Sequence, residues 1–380
     1  KKNLNSKKNI NPVDRKFSFI NLFVTGILVL ILTGFTVTPT EWSRFGKMWN
    51  RESVVSSFGV YTYQINDIFQ SLEPKINNLF GHDKALKKVT DYYSSNSSSE
   101  SKNQYSDIFE GKNVIVIHAE SMMRNAMELS FNGQEVTPNL NKLASEGLFF
   151  SNFYSQVSVG TSSDSELTFN TSLMPTKSGT AFVSYSDRTY ISTPKLLTEK
   201  GYYTFSMHAN NADFWNRRAM HNTLGYKKFY SKTDYKVTKE NTIGLGLSDK
   251  EFFKQSIPKI KKISEKHDKW YGISIMLSNH TPFSDVERYG EYNVDIKGTV
   301  TNEDGTQEEV TYPYMEGTKL GNYFKSLHYA DSALGEFINE LDEAGLLDNT
   351  VIVLYGDHDA RLPRSEYNKL YNYNMETHEF

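Results

Sequence analysis

The sequence predicts an α/β domain built on a mainly parallel sheet flanked by helices, preceded by a transmembrane helix and a helical linker. Three observations carry this expectation. Two β-branched runs, V-I-V-I at 114–117 and V-I-V-L at 351–354, read as buried parallel strands, because a strand covered on both faces shows a continuous apolar run. Such runs alternate along the chain with stretches of helical spacing, the pattern of a sheet with helices on both faces. One segment, 17–40, contains no charged residue and holds the run F-I-N-L-F-V-T-G-I-L-V-L-I-L-T-G-F-T-V over 19–37.

In chain order, the first element is that apolar run. At 1.5 Å per residue it spans roughly 30 Å, the thickness of a bilayer core. Ahead of it lie Lys1, Lys2, Lys7, Lys8, Arg15 and Lys16 against the single acid Asp14. The positive-inside rule therefore puts 1–16 in the cytoplasm, makes 17–40 a membrane span and sends the rest to the extracellular face of the cell membrane. A cleaved signal peptide is the rival reading, but the run is long and no A-x-A site follows it. The chain opens with Lys rather than Met, so it reads as a fragment, with earlier spans expected upstream.

Residues 41–107 read as an extracellular linker, with amphipathic helices over 41–90 and a Ser-rich tether from Tyr92 to Asp107. The α/β domain is expected over 108–380. Its first strand is 113–118. A helix follows at 138–146, with Thr137 as N-cap, Pro138 at the first helical position and Gly147 as its stop. Further strands are expected at 203–207, 271–277 and 350–355, and a long helix at 319–344.

Composition narrows the function. The net charge is −3 with a pI near 6.4, which gives no basic surface for nucleic acid. With no cysteine in 380 residues there is no disulfide framework, no thiolate metal site and no thiol nucleophile. The 24 Tyr and 24 Phe are mostly explained by packing.

The chemistry gathers at strand ends, where ligands bind in open α/β sheets. The first run leads into His118-Ala119-Glu120-Ser121, the second into Tyr355-Gly356-Asp357-His358-Asp359. Carboxylates and imidazole together suit Zn, Mn or Mg. Each has a plainer reading in isolation: Asp357-His358 as a surface turn, Glu120 as an acid complementing a helix dipole. Between them G-T-S-S-D-S-E at 160–166 crowds hydroxyls at a helix start, suited either to a phosphate-facing nucleophile or to an ordinary capping cluster. His208 ends another strand, with Trp215 and Arg217 close behind; Arg offers bidentate phosphate recognition. His280, in L-S-N-H-T-P-F, ends a fourth.

V-I-V-I-H-A-E-S, then V-T-P-N-L-N-K-L-A-S-E-G, then V-L-Y-G-D-H-D, in that order, resemble the alkaline phosphatase/sulfatase superfamily. G-T-S-S-D-S-E, F-W-N-R and L-S-N-H-T-P-F narrow the resemblance, over 41 to about 370, to the lipoteichoic acid synthase-like phosphoglycerol transferases. The resemblance implies one divalent cation, usually manganese, with magnesium or zinc as alternatives, held by Glu120, Ser162, Asp357 and His358. It further implies that the Ser162 hydroxyl attacks phosphatidylglycerol, releases diacylglycerol and forms a covalent glycerophospho-enzyme. A glycolipid or polyglycerolphosphate acceptor then takes the group. His208, Trp215, Arg217 and His280 match the residues around the glycerol phosphate, and Asn210 stands where an Asp often contacts substrate.

On this reading Arg217 holds developing charge, and His280 or His208 protonates the leaving alkoxide at neutral pH. The usual nucleophile is Thr; the register of S-D-x-E selects Ser162, and a one-residue shift would select Thr161. The chain ends at Phe380, short of the family's C-terminal region. Rival activities on the same scaffold are a phosphoethanolamine transferase, a sulfatase-fold phosphodiesterase and a sulfatase. The last needs C/S-x-P-x-R, and Ser162-Ser163-Asp164-Ser165-Glu166 has neither the Pro nor the Arg. A catalytically dead sensor keeping the fold is the non-enzymatic rival; joint retention of the four metal-site positions argues against it.

Overall fold

The computed structural model describes residues 12–79, 82–96, 102–177 and 179–372. The chain divides into two compact units, 1–70 and 71–380. In the first, the helix Pro12–Thr36 carries the apolar run, and its stretch Lys16–Thr36 is long and apolar enough to cross a membrane, by length and composition. Phe17, Leu22, Leu32 and Phe35 are all exposed on it. The helix stops before the expected limit at 40 for a local reason. Thr38 and Glu41 form a reciprocal capping box, and Pro39 opens the next helix, Pro39–Lys47. Proline disfavours helical backbone in the residue before it, so one helix must end where the other begins. Residues 1–11 of the expected basic segment lie outside the described residues.

The helices expected over 41–90 form. After Pro39–Lys47 come Arg51–Phe58, Val60–Leu79 and His82–Ser95. Within the first unit Trp42, Phe45 and Phe58 pack edge and tilt, with Phe45 and Phe58 centroids 4.6 Å apart, and Met48 and Val54 are buried. The helix His82–Ser95 runs into the stretch expected as a tether, because Leu86, Val89 and Tyr93 sustain helical spacing through its start. Residues 97–101 of that stretch lie outside the described residues.

The second unit holds a five-stranded sheet in the order Thr350–Gly356, Asn113–Ala119, Trp270–Ile275, Tyr203–Met207, Lys228–Tyr230. Every neighbouring pair is parallel. Alternate side chains feed two cores. Ile115, Ile117, Phe205, Met207, Trp270, Ile352 and Leu354 meet helices Asp249–Ser264 and Lys319–Glu343 on one face. Val116, Tyr271, Ile273, Ile275, Val353 and Tyr355 meet Leu167, Phe182, Met220 and Leu224 on the other. Continuous apolar strands thus follow from double coverage.

Several elements differ from expectation. The strand expected at 271–277 ends at Ile275, because the buried Asp249 carboxylate accepts the N–H groups of Leu277 and Ser278 at 2.8 and 3.1 Å and turns the chain away. The strand Lys228–Tyr230 and the hairpin Ile296–Thr301 with Gln307–Tyr312 were not expected; the first is too short and the second too polar to stand out. The helix Pro138–Glu146 forms as expected, yet Thr137 makes no side-chain cap. Asp331 of the long helix caps it instead, accepting from Asn139 N at 3.0 Å and Leu140 N at 2.7 Å. A Cβ at Gly335, one turn further on, would lie 2.3 Å from Asn139 Oδ1, so the Asn139 side chain would have to shift.

Candidate active site

The strands Asn113–Ala119 and Thr350–Gly356 are neighbours, with Ala119 opposite Gly356. Their exits therefore lie side by side, and Glu120 meets Asp357 and His358. One ligand atom from each lies within 4.8 Å of the other two, and all three residues are buried. The approach is close enough to dictate a glycine: a Cβ on Gly356 would stand 2.0 Å from the Met122 carbonyl oxygen.

Asp357 is the best-anchored member. Its Oδ1 accepts from Ser121 N at 2.8 Å and His358 N at 2.7 Å, and its Oδ2 lies 3.1 Å from His118 Nε2. Burial pushes its pKa up, but the His118 bond, the charge of His358 and the Ser121 N–H outweigh this and hold it well below the usual carboxylate range. Glu120 goes the other way: burial raises its pKa and the neighbouring Asp357 raises it further, with His280 and His358 offsetting part. His358 is raised, burial being outweighed by the two carboxylates. Its Nδ1 donates to the Asp359 carbonyl at 2.7 Å, which turns Nε2 toward the carboxylates.

These residues fit a divalent cation. Among the described residues the ion-pair partners of Glu120 and Asp357 are histidines alone, so two buried carboxylates face each other without a Lys or Arg. Oxygen and imidazole donors of this kind suit a hard or borderline metal.

The hydroxyl comes from the helix Ser162–Thr171. Thr161 sits at φ 47°, ψ −114°, a conformation that costs a β-branched residue about 1–3 kcal/mol and swings the chain into the helix. Asp164 secures the turn by accepting from Ser158 N at 3.0 Å and Gly160 N at 2.8 Å. Ser162 Oγ then lies 3.3 Å from Glu120 Oε2 and 3.3 Å from His358 Nε2. The Thr161 side chain makes no capping bond. Between the two hydroxyls, Ser162 is the one hydrogen-bonded to the carboxylate–imidazole group.

The remaining expected residues follow the other strand ends. His280 is half-buried beyond the strand Trp270–Ile275; its Nδ1 lies 2.6 Å from the Thr281 carbonyl, and its charge is felt by Glu120. The adjacent Asn279 donates to the Glu120 carbonyl at 3.0 Å. His208 is fully buried, with Nδ1 donating to the Ile275 carbonyl at 3.0 Å. Burial, with the charge of Arg217 added, pushes its pKa down to about 3. This corrects the expectation of a proton donor matched to neutral pH: His208 stays uncharged there. Asn210 is buried, its Oδ1 accepting from Asn211 N at 2.7 Å. Trp215, at φ 54°, packs partly buried against the second core. Arg217 lies in a buried ion pair with Glu166.

Three supporting residues received no role of their own from the sequence: His118 and Glu166 fall inside the strand-end and helix-start motifs without an assigned partner, and His221 was not singled out. The fold buries all three in bonds to Asp357, Arg217 and Glu166.

A family model described as sulfatase matches residues 112–379. The chain is 35% identical over 318 residues to lipoteichoic acid synthase 1 of Bacillus subtilis (strain 168), covering 83% of this chain and 46% of that one. It is 34% identical over 316 residues to the lipoteichoic acid synthase of Staphylococcus saprophyticus, covering 82% and 46%. Among solved structures, that of the lipoteichoic acid synthase LtaP from Listeria monocytogenes is similar with a TM-score of 0.63 and 32% identity, covering 75% of this chain and 65% of that one. The chain spans about half the length of the curated relatives it matches.

Proposed function

The chain belongs to the sulfatase family, and on that footing we propose that it is a membrane-anchored transferase moving glycerol phosphate from phosphatidylglycerol to a hydroxyl acceptor, as in lipoteichoic acid synthesis. The observation that carries the proposal is the Ser162 hydroxyl, 3.3 Å from both Glu120 and His358 at the opening of a helix. The likeness to lipoteichoic acid synthases supports the same reading. On this reading the acceptor is a glycolipid or a growing polyglycerolphosphate chain and the reaction takes place on the extracellular face, which the basic residues ahead of the apolar run support.

The chemistry divides into two displacements. Ser162 Oγ attacks phosphorus, its proton leaving to solvent, and the bond from phosphorus to the diacylglycerol oxygen breaks as a Ser162 phosphoglycerol ester forms. We assign His280 to give the departing alkoxide its proton; with Nδ1 engaged on the Thr281 carbonyl, Nε2 is the exchanging atom. In the second displacement the acceptor hydroxyl returns a proton to His280 as its oxygen takes the phosphoryl group; the bond from phosphorus to Ser162 Oγ breaks, and the serine oxygen takes back from solvent the proton it lost. Glu120, Ser162, Asp357 and His358 would hold a divalent cation, manganese on this reading, and that ion would supply positive charge to lower the cost of ionising the serine hydroxyl and to offset charge on the phosphoryl oxygens. Arg217, anchored on Glu166, faces the phosphate, and His208, Asn210 and Trp215 line the glycerol.

The test is incubation with Mn²⁺ and phosphatidylglycerol, following diacylglycerol release and trapping the adduct by mass spectrometry. Mass on Ser162, loss of both signals in Ser162→Ala and their survival in Thr161→Ala are expected. Full activity in Ser162→Ala would sink the assignment.

A further inference from the structure

Among the described residues, Asp357 has one side-chain donor besides its own neighbour in sequence. Its Oδ1 is taken by two backbone N–H groups, whereas Oδ2 lies 3.1 Å from Nε2 of His118 and 3.4 Å from Nε2 of His358. For His118 to donate there, its ring proton must sit on Nε2, which makes Nδ1 an acceptor. That acceptor lies 2.8 Å from the Tyr355 hydroxyl, which then donates to it. One chain of donation results: Tyr355 Oη to His118 Nδ1, and His118 Nε2 to Asp357 Oδ2.

The fold builds this chain in. His118 and Tyr355 are directly opposite on adjacent parallel strands, so their side chains leave the sheet on the same face, rings 5.2 Å apart at 80°. The His118 side chain and that of Asp357 are fully shielded from solvent, and Tyr355 is buried. Tyr355 also stacks on Phe169, centroids 4.5 Å apart and planes within 11°. Phe169 belongs to the helix that Ser162 opens. A single ring thus touches both the bond that orients Asp357 and the helix that delivers the hydroxyl.

We propose that His118 and Tyr355 are a positioning pair for the cation site: Tyr355 fixes the His118 tautomer, and His118 aims Asp357 Oδ2. Neither touches the cation or the reacting atoms. Outer hydrogen bonds of this type set ligand orientation and basicity, and their loss costs about 10–100-fold in metal affinity. With the divalent-cation part of the proposed function as its basis, the pair has to be judged by a readout other than turnover.

The experiment is Mn²⁺ titration calorimetry on the full chain in detergent, beside thermal melts of the metal-free protein. His118→Phe keeps a ring and removes the donor; about tenfold weaker Mn²⁺ binding or worse is expected. His118→Gln restores a nitrogen donor at similar reach and recovers most of the affinity. Tyr355→Phe retains the stack on Phe169, leaves the metal-free melt near wild type and weakens binding several-fold. Unchanged Mn²⁺ affinity in His118→Phe overturns the proposal, as does equal loss in His118→Phe and His118→Gln, which would mark a packing role. If the Phe variant fails to fold, Tyr355→Phe with wild-type affinity overturns it alone. Wild-type protein that binds Mn²⁺ but releases no diacylglycerol leaves the pair standing and removes the lipid reading; wild-type protein that binds no divalent cation removes both.

Discussion

Arg217 and Glu166 form an ion pair with almost no access to water, Nη2 to Oε1 at 2.6 Å and Nε to the same oxygen at 2.8 Å. The other carboxylate oxygen lies 2.8 Å from His221 Nε2, and His221 Nδ1 lies 2.9 Å from Ser206 Oγ. Burial alone would raise the Glu166 pKa; Arg217 and His221 reverse that and keep it well below the usual carboxylate range. Arg217 is therefore already neutralised along one edge, a fixed guanidinium rather than a mobile one.

Removing the carboxylate should be expensive. Glu166→Ala leaves a guanidinium buried without its partner, a change that costs about 3–5 kcal/mol. Urea melts should show that loss through a lower midpoint at unchanged slope. A loss below about 1 kcal/mol would mean that water reaches Arg217 and the pair is not structural.

Glu120 and Asp357 make a prediction of opposite sign. Without a cation, Glu120 is buried beside another carboxylate and its pKa is raised by both effects. Glu120→Gln should therefore raise the melting temperature of metal-free protein, relieving a repulsion while keeping the side chain's shape. The same variant should lose the stabilisation that Mn²⁺ gives wild type, about 2.7 kcal/mol at one hundred times the dissociation constant. Calorimetric melts with EDTA and with Mn²⁺ separate the two effects; a variant less stable than wild type in EDTA refutes the first.

The sequence made the candidate metal group of Glu120, Asp357 and His358 legible for a reason the fold explains. V-I-V-I and V-I-V-L are adjacent parallel strands, so whatever follows them must converge, and Glu120, Asp357 and His358 follow them directly. Ser162 was legible because helix starts carry hydroxyls next to acids, although the same pattern fits a plain cap. His118 was hidden because a histidine inside an apolar strand gives no sign of its partner, and that partner, Asp357, lies 239 residues away. The polarity of His208 was misjudged for the same reason: its pKa depends on burial and on Arg217, and both are tertiary facts.

The cap on the helix Pro138–Glu146 is another tertiary fact that can be tested. Asp331 reaches across from the long helix to accept two N–H groups, while the local candidate, Thr137, gives its hydroxyl to Asn141 at 3.2 Å. Asp331→Ala should cost about 1–3 kcal/mol, since it leaves buried donors unpaired, whereas Thr137→Val should cost less. Urea melts of the two variants decide between them, and the reverse ranking would restore Thr137 as the cap.

Asp249 gives the protein a pH dependence that Asn cannot reproduce. Its carboxyl accepts Leu277 N and Ser278 N, yet burial dominates, Glu120 adds to it, and the pKa is pushed up to about 7. In the unfolded chain an Asp titrates near 3.9. Between those values the folded state holds a proton that the unfolded state has lost, so the group's contribution to stability is complete below about pH 4 and disappears as pH rises through 7. Asp249→Asn keeps one acceptor and cannot ionise. The stability of wild type relative to Asp249→Asn should therefore fall steadily from pH 4.5 to 7 in EDTA, read by urea melts at each pH. Because Leu277 and Ser278 lead directly to Asn279 and His280, a constant difference would show that the carboxylate stays ionised beneath this turn and that its two N–H donors, rather than burial, set its charge.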